Sequence, residues 1–554
     1  MKKIPLEVAL VVATLLACVA FVGPRGDFPL NDDWNFALTT WHFAETGELV
    51  YSRFTAMTLK LQVLWGALWT IAFGKSHEVL RYSSLALWIP CVVIVNRWLS
   101  RIGVEAGTRL VATAAFAFHP LIFWSSFTYM TQIPFLFSSI VALCAFHRAL
   151  DDDDLAWGML GALAVVGAFF IRQTGVVLAI APVVAILKRR SSLSPRWKTH
   201  VAVSISPVLL FALLSLFTNA LRGYPGQIGE HFVVWKVPLT ELPGQILRVV
   251  AYYTFFNFQN AGLFLLPVAI LAGVWLARDR VGRTVALLAI VLMLAGAGHM
   301  VLRDCPMPYW SDVPTLEVHP GNVLVNLGLG PLTLRDTWTL DLEPPFPMPR
   351  AGRLFLTSVA AILGGLLMAT LWRGWFSATN RPQREGLIVD IAVTHCVLAT
   401  STLFVSGIYF DRYTVDSLWT LAVLVPVLSG RVAFPERAVA VSGALLVAMF
   451  SALATQEYIR WNAARWEAYG RLRTDGISLA RIDGGYEINQ FLVGGFDGPI
   501  LLKRSGFSVV DPEYILTFGR VPGYVVVAEE RFESFLGLRH GAVLTLHRVD
   551  GERK

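Results

Sequence analysis

The chain has 554 residues, 55% hydrophobic and only 15% charged, with a formal net charge of +7. A soluble protein of this length carries closer to a quarter charged residues, so the composition excludes an ordinary soluble enzyme and indicates a polytopic membrane protein. The positive balance does not indicate nucleic-acid binding, because lysines and arginines sit in short loops between apolar runs, the pattern of cytoplasmic connectors.

The first apolar run, 5–22, follows Met1-Lys2-Lys3 and is long enough to cross a bilayer. Its flanks resemble a signal peptide, and Leu15-Leu16-Ala17-Cys18 resembles a lipoprotein cleavage box. Apolar residues continue past Cys18 and a dozen further runs follow, so an uncleaved first helix is expected. The other runs lie near 79–98, 109–127, 134–149, 155–171, 174–188, 200–219, 261–277, 284–302, 353–372, 387–408, 414–430 and 438–455. Lys2 and Lys3 place the N-terminus inside. Arg97, Arg101 and Arg109 mark the next inner loop, Lys188 to Lys198 another, and Arg278, Arg280 and Arg283 a fourth. Arg373, Arg381 and Arg384, then Arg431 and Arg437, complete the alternation. The expectation is a membrane all-α fold of about thirteen transmembrane helices in the plasma (inner) membrane, with a cytoplasmic N-terminus and an extracytoplasmic C-terminus.

Residues 59–74 are apolar enough to count as a further span, but a crossing there would put the loop with Arg97, Arg101 and Arg109 outside. An interfacial helix carrying Trp65 and Trp69 keeps the register. The outer face then collects nearly all the polar, irregular chain: 23–78, turns at 128–133 and 172–173, loops near 220–260 and 303–350, and the tail. The acidic run Asp151–Asp154 reads as a solvated inner turn. From about 456 the composition changes, and alternating runs at 523–528 and 542–547 read as strands. The expected organisation is a transmembrane part, 1–455, and a small α/β or β-rich extracytoplasmic part, 456–554. Four of five cysteines fall in apolar runs and only Cys305 in a polar loop, so no disulfide framework is indicated.

Asn31-Asp32-Asp33-Trp34-Asn35-Phe36-Ala37 places two adjacent carboxylates where the chain first leaves the membrane. Ionised groups there are costly to desolvate and are kept for a purpose. The competing reading is a polar cap on a helix lying along the membrane. Other motifs share the outer side: Phe73-Gly74-Lys75 with Leu80-Arg81; Phe127-Thr128-Tyr129-Met130-Thr131-Gln132-Ile133-Pro134; Ile171-Arg172-Gln173-Thr174-Gly175; Phe410-Asp411-Arg412-Tyr413; and Ile482-Asp483-Gly484-Gly485-Tyr486-Glu487-Ile488-Asn489.

In order, spacing and sidedness these motifs resemble the GT-C superfamily of membrane glycosyltransferases. The likeness is to family 39-like members related to protein O-mannosyltransferases and the aminoarabinose transferase of lipid A. The resemblance implies interfacial helices in the first outer loop and a polyprenyl-phosphate sugar as donor. It also implies an extracytoplasmic acceptor (lipid, glycan or protein hydroxyl), with membrane lipids as the surroundings. Asp32 aligns with the family's catalytic aspartate, and Asp33 takes the place of its acidic neighbour, orienting a ligand or binding metal. The leaving phosphate needs fixed positive charge. Arg172, at a hairpin tip, is the first candidate, with Lys60, Arg81 and Arg412 behind it; Tyr129, Gln132 and Gln173 are candidate substrate contacts.

The bland readings are an interfacial anchor for Arg172 and Lys60, a local ion pair for Asp411 and Arg412, and loop stabilisation for Asp483 and Glu487. Relatives often place a second aspartate where this chain has Gln132. A neutral amide is a poor ligand for a hard divalent cation, and His299 and His319 lack metal-ligand spacing, so the sequence establishes neither a metal nor any other cofactor. A transporter or flippase for a lipid-linked or polar solute, and a non-catalytic relative, remain the competing classes. Transporters usually carry ionisable groups at the bilayer midplane and repeats, neither of which is evident here.

Overall fold

The computed structural model describes residues 6–52, 54–218, 241–308, 318–319, 322–329, 348–405, 409–496, 509, 511–534 and 540–549. Lys2 and Lys3, residues 219–240 of the expected outer loop and most of the 303–350 loop lie outside the described residues; residues 242–260, expected as loop, are helical instead. The helices run in chain order: α1 Leu6–Val22, α2 Asp33–Thr46, α3 Lys60–Phe73, α4 His77–Ile102, α5 Ala106–Ala117, α6 Pro120–Ser126, α7 Gln132–Asp152 and α8 Leu155–Phe169. A 3₁₀ stretch, Gln173–Ala179, leads into α9 Ile180–Arg189; α10 Trp197–Thr218, α11 Leu242–Phe264, α12 Leu266–Ala277 and α13 Arg280–Leu302 follow. Then come α14 Arg350–Ser377, α15 Gln383–Val405, α16 Val415–Ser429, α17 Phe434–Thr474 and the short α18 Tyr486–Asn489.

Every apolar run picked out above overlaps helix, but not every run is one straight span. Among the described residues six helices are each long and apolar enough to cross a membrane, or eight if two bent pairs count as one span each. Those pairs are α5–α6, bent by 60°, and α11–α12, bent by 99°. Pro120 and Pro267 begin the second helix of each pair, where a missing N–H costs nothing but the ring prevents continuation from before. α1 and α8 are shorter apolar helices. α3, the segment that broke the charge register, is a 14-residue helix ending at Gly74.

The expected inner connectors sit together. Arg101 and Arg384 both pair with Asp151, Lys188 and Arg189 with Asp390, Arg373 with Asp279, and Arg437 with Glu105. Arg278 donates to the carbonyl of Arg431. These contacts join six connectors into one charged rim, and they give the acidic run at 151–154 a structural use. The alternation therefore holds at the 99–108 loop, which shares its end of the bundle with the others.

Within the bundle α11 and α14 meet at glycines. A Cβ on Gly364 would lie 2.4 Å from the Phe258 carbonyl oxygen, and one on Gly262 would lie 2.2 Å from the Gly364 nitrogen. Small residues are what allow helix backbones to approach this closely in an apolar medium. Gly364→Ala should cost about 1–3 kcal/mol through overpacking and lower the thermal midpoint in detergent. Gly298→Ala on α13, where a Cβ meets nothing within 4 Å, should not.

α17 is 41 residues long, about 60 Å at 1.5 Å per residue, and runs through the expected domain boundary at 456 without a break. After a short parallel pair, β1 Val318–His319 with β2 Tyr409–Phe410, the C-terminal strands β3 Ile482–Asp483, β4 Tyr514–Thr517, β5 Tyr524–Glu533 and β6 His540–Arg548 form one sheet. Its order is β3-β4-β6-β5, with only the β3–β4 pair parallel. Ile482, Ile488, Leu516, Phe532 and Val543 belong to the same continuous core as the apolar helices. The tail is thus built onto the bundle.

Candidate active site

At the end of the bundle away from the charged rim, six stretches of chain surround a cavity of about 180 Å³. Its charged and hydroxyl-bearing lining is Asp32, Thr131, Arg172, Arg412, Tyr413 and Tyr486. The chain reaches it through Asn31, a non-glycine residue with φ 57°, a conformation asparagine tolerates better than most. Asp32 then stands at the N-cap position of α2, but its side chain makes no capping bond. Its carboxylate instead meets Arg412 on one oxygen and accepts the Tyr486 hydroxyl on the other at 2.7 Å. The helix-cap reading of Asp32 does not account for those contacts.

The adjacent acid does something else. Asp33 is buried and does not line the cavity; its two oxygens accept backbone N–H groups from Leu30 at 2.7 Å and Tyr129 at 3.2 Å. Burial pushes its carboxyl up to about 7, against the pull of Arg81 and those two N–H donors. Asp33 thereby ties the start of α2 to the turn at 128–131. Asp33→Asn leaves one oxygen for two donors and should destabilise the fold by about 1–3 kcal/mol, read as a drop in thermal midpoint without loss of the cavity groups.

The cations also separate by surroundings. Arg172 follows α8, and its Nε donates to the Thr131 hydroxyl at 2.6 Å while the guanidinium faces the Phe135 and Tyr413 rings. No carboxylate pairs with it among the described residues. Burial, with Arg412 adding to it, lowers it to about 10 against Tyr413 and Asp416, so it stays charged at neutral pH. Arg412 is a junction: beyond Asp32 it donates to the side-chain oxygens of Asn31 and, at 2.7 Å, Asn322. Burial works against its charge, but Asp32 first, then Tyr413, Asp411 and Tyr486, raise its pKa overall. The neighbouring Asp411 accepts the Val323 and Leu324 N–H groups, both at 2.8 Å, and burial lifts it to about 6.

The remaining sequence candidates lie elsewhere. Arg81 is buried and donates to the carbonyls of Pro24, Gly26 and Phe28, bracing the loop before α2. Lys60 stands over the Phe170 ring at 5.8 Å. The Tyr129 hydroxyl donates to the Gln62 carbonyl at 2.8 Å and meets Thr40, pinning α2 to α3. Gln173 donates to the Ala56 carbonyl at 2.7 Å, one residue from the cavity wall. None of these four lines the cavity. Gln132 is buried next to Thr131, and neither end of its amide has a hydrogen-bond partner among the described residues.

Asn31, Asn322, Tyr413 and Tyr486 were not picked out as site residues from sequence. Tyr486 follows Gly484-Gly485, with Gly485 at φ 90°, and the Asn489 side chain, which accepts the Gly484 N–H and donates to Asp483, closes the turn. The adjacent Glu487 pairs with buried Arg465 at 2.9 Å and accepts the Asn31 N–H. That glycine pair was the one local signal for a special turn. As for a metal, among the described residues no three His, Cys, Asp or Glu side chains gather to hold one. Asp32 is the lone carboxylate lining the cavity and already faces a guanidinium, so this donor set does not fit a divalent cation.

No family model and no curated sequence matches the chain. Similar solved structures include apo ArnT from Cupriavidus metallidurans, at 12% identity over 97% of each chain with a TM-score of 0.41. The same protein bound to undecaprenyl phosphate matches at 12% identity, 97% of each chain and a TM-score of 0.36. An Archaeoglobus fulgidus oligosaccharyltransferase tethered to an acceptor peptide matches at 11% identity over 83% of this chain and 57% of that one, with a TM-score of 0.43. At this identity and these TM-scores, function is read from the cavity's own residues.

Proposed function

We propose that this protein is an integral-membrane glycosyltransferase that moves a sugar from a polyprenyl-phosphate donor to an extracytoplasmic acceptor hydroxyl. The observation that carries the reading is one cavity, at one end of an apolar bundle, holding a carboxylate and two arginines of which one has no acidic partner among the described residues. The acceptor oxygen attacks the anomeric carbon, the bond from that carbon to the phosphate oxygen breaks, and the phosphate keeps the electron pair. Asp32 takes the acceptor's proton, a task suited to a carboxylate in a partly desolvated site; its side chain is 25% exposed. Arg172 faces the charge that develops on the leaving phosphate, a preorganised cation in a site of low dielectric. Gln132, buried next to Thr131 but not among the residues lining the cavity, is given no role in this reading. The cavity end is the extracytoplasmic one and the charged rim the cytoplasmic one, following the arginine bias of the connectors. Most charge gathers at the two ends, with the His395–Asp416 pair an exception inside the bundle, and this distribution argues against a transporter.

The test is release of free polyprenyl phosphate. Purified protein in detergent is given a panel of polyprenyl-phosphate sugars with an envelope extract as acceptor source, and the lipid is followed by mass spectrometry. Release above a mock preparation for at least one donor supports the reading; none for any donor overturns it.

A further inference from the structure

Asp32 has two partners of different kinds. Arg412 is a cation that a second anion could take, whereas Tyr486 is a neutral donor held from the far end of the chain. Arg412 keeps Asn31 and Asn322 as acceptors whatever becomes of Asp32. Its position therefore does not depend on the carboxylate. Across the same cavity Arg172 has only Thr131 on its Nε. The groups facing Asp32 are thus Arg412, Tyr486 and Asn31, with Arg172, Tyr413 and Thr131 across the cavity.

We propose that Asp32 and the donor's phosphate compete for Arg412, and that Tyr486 holds the carboxylate in place once the guanidinium has turned to the phosphate. The proposal rests on the donor reading above and adds an order of events to it. Before the donor arrives both oxygens of Asp32 are engaged, and a carboxylate so engaged is a poor proton acceptor. A phosphate drawn in by Arg172 offers Arg412 an anion of the same charge as the carboxylate but with both non-bridging oxygens free, and guanidinium forks bind such groups through paired, charge-assisted bonds. Asp32 then keeps one hydrogen bond and gains a free oxygen directed at the cavity. The base is exposed only when there is a donor to attack, so the donor binds before the acceptor is activated.

Coupling of this kind is reciprocal: whatever the phosphate does to the Asp32–Arg412 pair, the pair does to phosphate affinity. The test is therefore binding, with polyprenyl phosphate lacking any sugar as probe, on the purified full chain in detergent by titration calorimetry. Asp32→Asn removes the competitor and should bind the probe about fivefold tighter or more, from a charged hydrogen bond no longer given up. In an Arg412→Gln background that gain should vanish; Arg412→Lys, which keeps the charge but not the fork, serves if the glutamine variant does not fold. Tyr486→Phe touches no phosphate yet should bind about threefold to tenfold weaker, because the released carboxylate loses its last partner. Probe binding by Asp32→Asn no tighter than by the unmodified protein overturns the competition. So does a gain that persists without Arg412, which would be plain charge repulsion, and so does an unchanged Tyr486→Phe. Absence of probe binding by the unmodified protein overturns the donor reading itself.

Discussion

Asp32→Asn should lower turnover of a polyprenyl-phosphate sugar by about 10² or more at equal expression, the scale on which general-base catalysis contributes. Asparagine matches aspartate in shape and can still accept the Tyr486 hydroxyl, so the pocket should survive while the proton acceptor is lost. The loss should fall on kcat, because the residue meets the acceptor's proton rather than anchoring the donor. Near-normal turnover in this variant would move the base elsewhere; among the described cavity-lining residues there is no second carboxylate to receive the role.

Arg172→Ala should raise the donor KM about tenfold to a hundredfold, the worth of one or two hydrogen bonds to a charged group, with the protein still inserted and folded. Folding should be spared because the arginine's hydrogen bond is to a single hydroxyl, Thr131. Arg172→Lys should fall between, since an ammonium restores charge but neither the Thr131 bond geometry nor a two-pronged grip on phosphate. Donor KM and a thermal midpoint measured on the same preparations separate the two effects. Unchanged donor use in Arg172→Ala would leave this residue as an interfacial anchor.

Hydropathy and the placement of arginines made the helices and their common end legible, because burial in lipid and charge at connectors leave their mark on local composition. Direction within an apolar run leaves no such mark. The bends at α5–α6 and α11–α12 were announced only by Pro120 and Pro267, and the unbroken course of α17 past 456 was masked by the change in composition there. In the site, Asp32, Arg172 and Arg412 were legible because charge beside an apolar run needs a reason, though only Arg172 stands there without a charged neighbour. Which of two adjacent acids faces the cavity was not legible: Asp32 and Asp33 differ by one residue in the first turn of α2, and packing against Leu30 and Tyr129 decides it. Arg81 misled for a related cause, since its partners are the backbone carbonyls of Pro24, Gly26 and Phe28, and carbonyls are invisible in a sequence. Asn31 and Asn322 are neutral groups recruited over long separations, and nothing local distinguishes them; Tyr486 is announced only by the glycine pair before it.

The contact between Tyr486 and Asp32 joins residues 454 positions apart, and the one between Asn31 and Glu487 spans 456. During synthesis Asp32 leaves the ribosome and crosses into position long before either partner exists. A chain stalled or clipped after its last apolar run would carry every helix of the bundle and an unfinished pocket. The pocket is thus completed only by a segment translated after every apolar run, so a product that stops short of it would hold the helices in the membrane without a finished pocket.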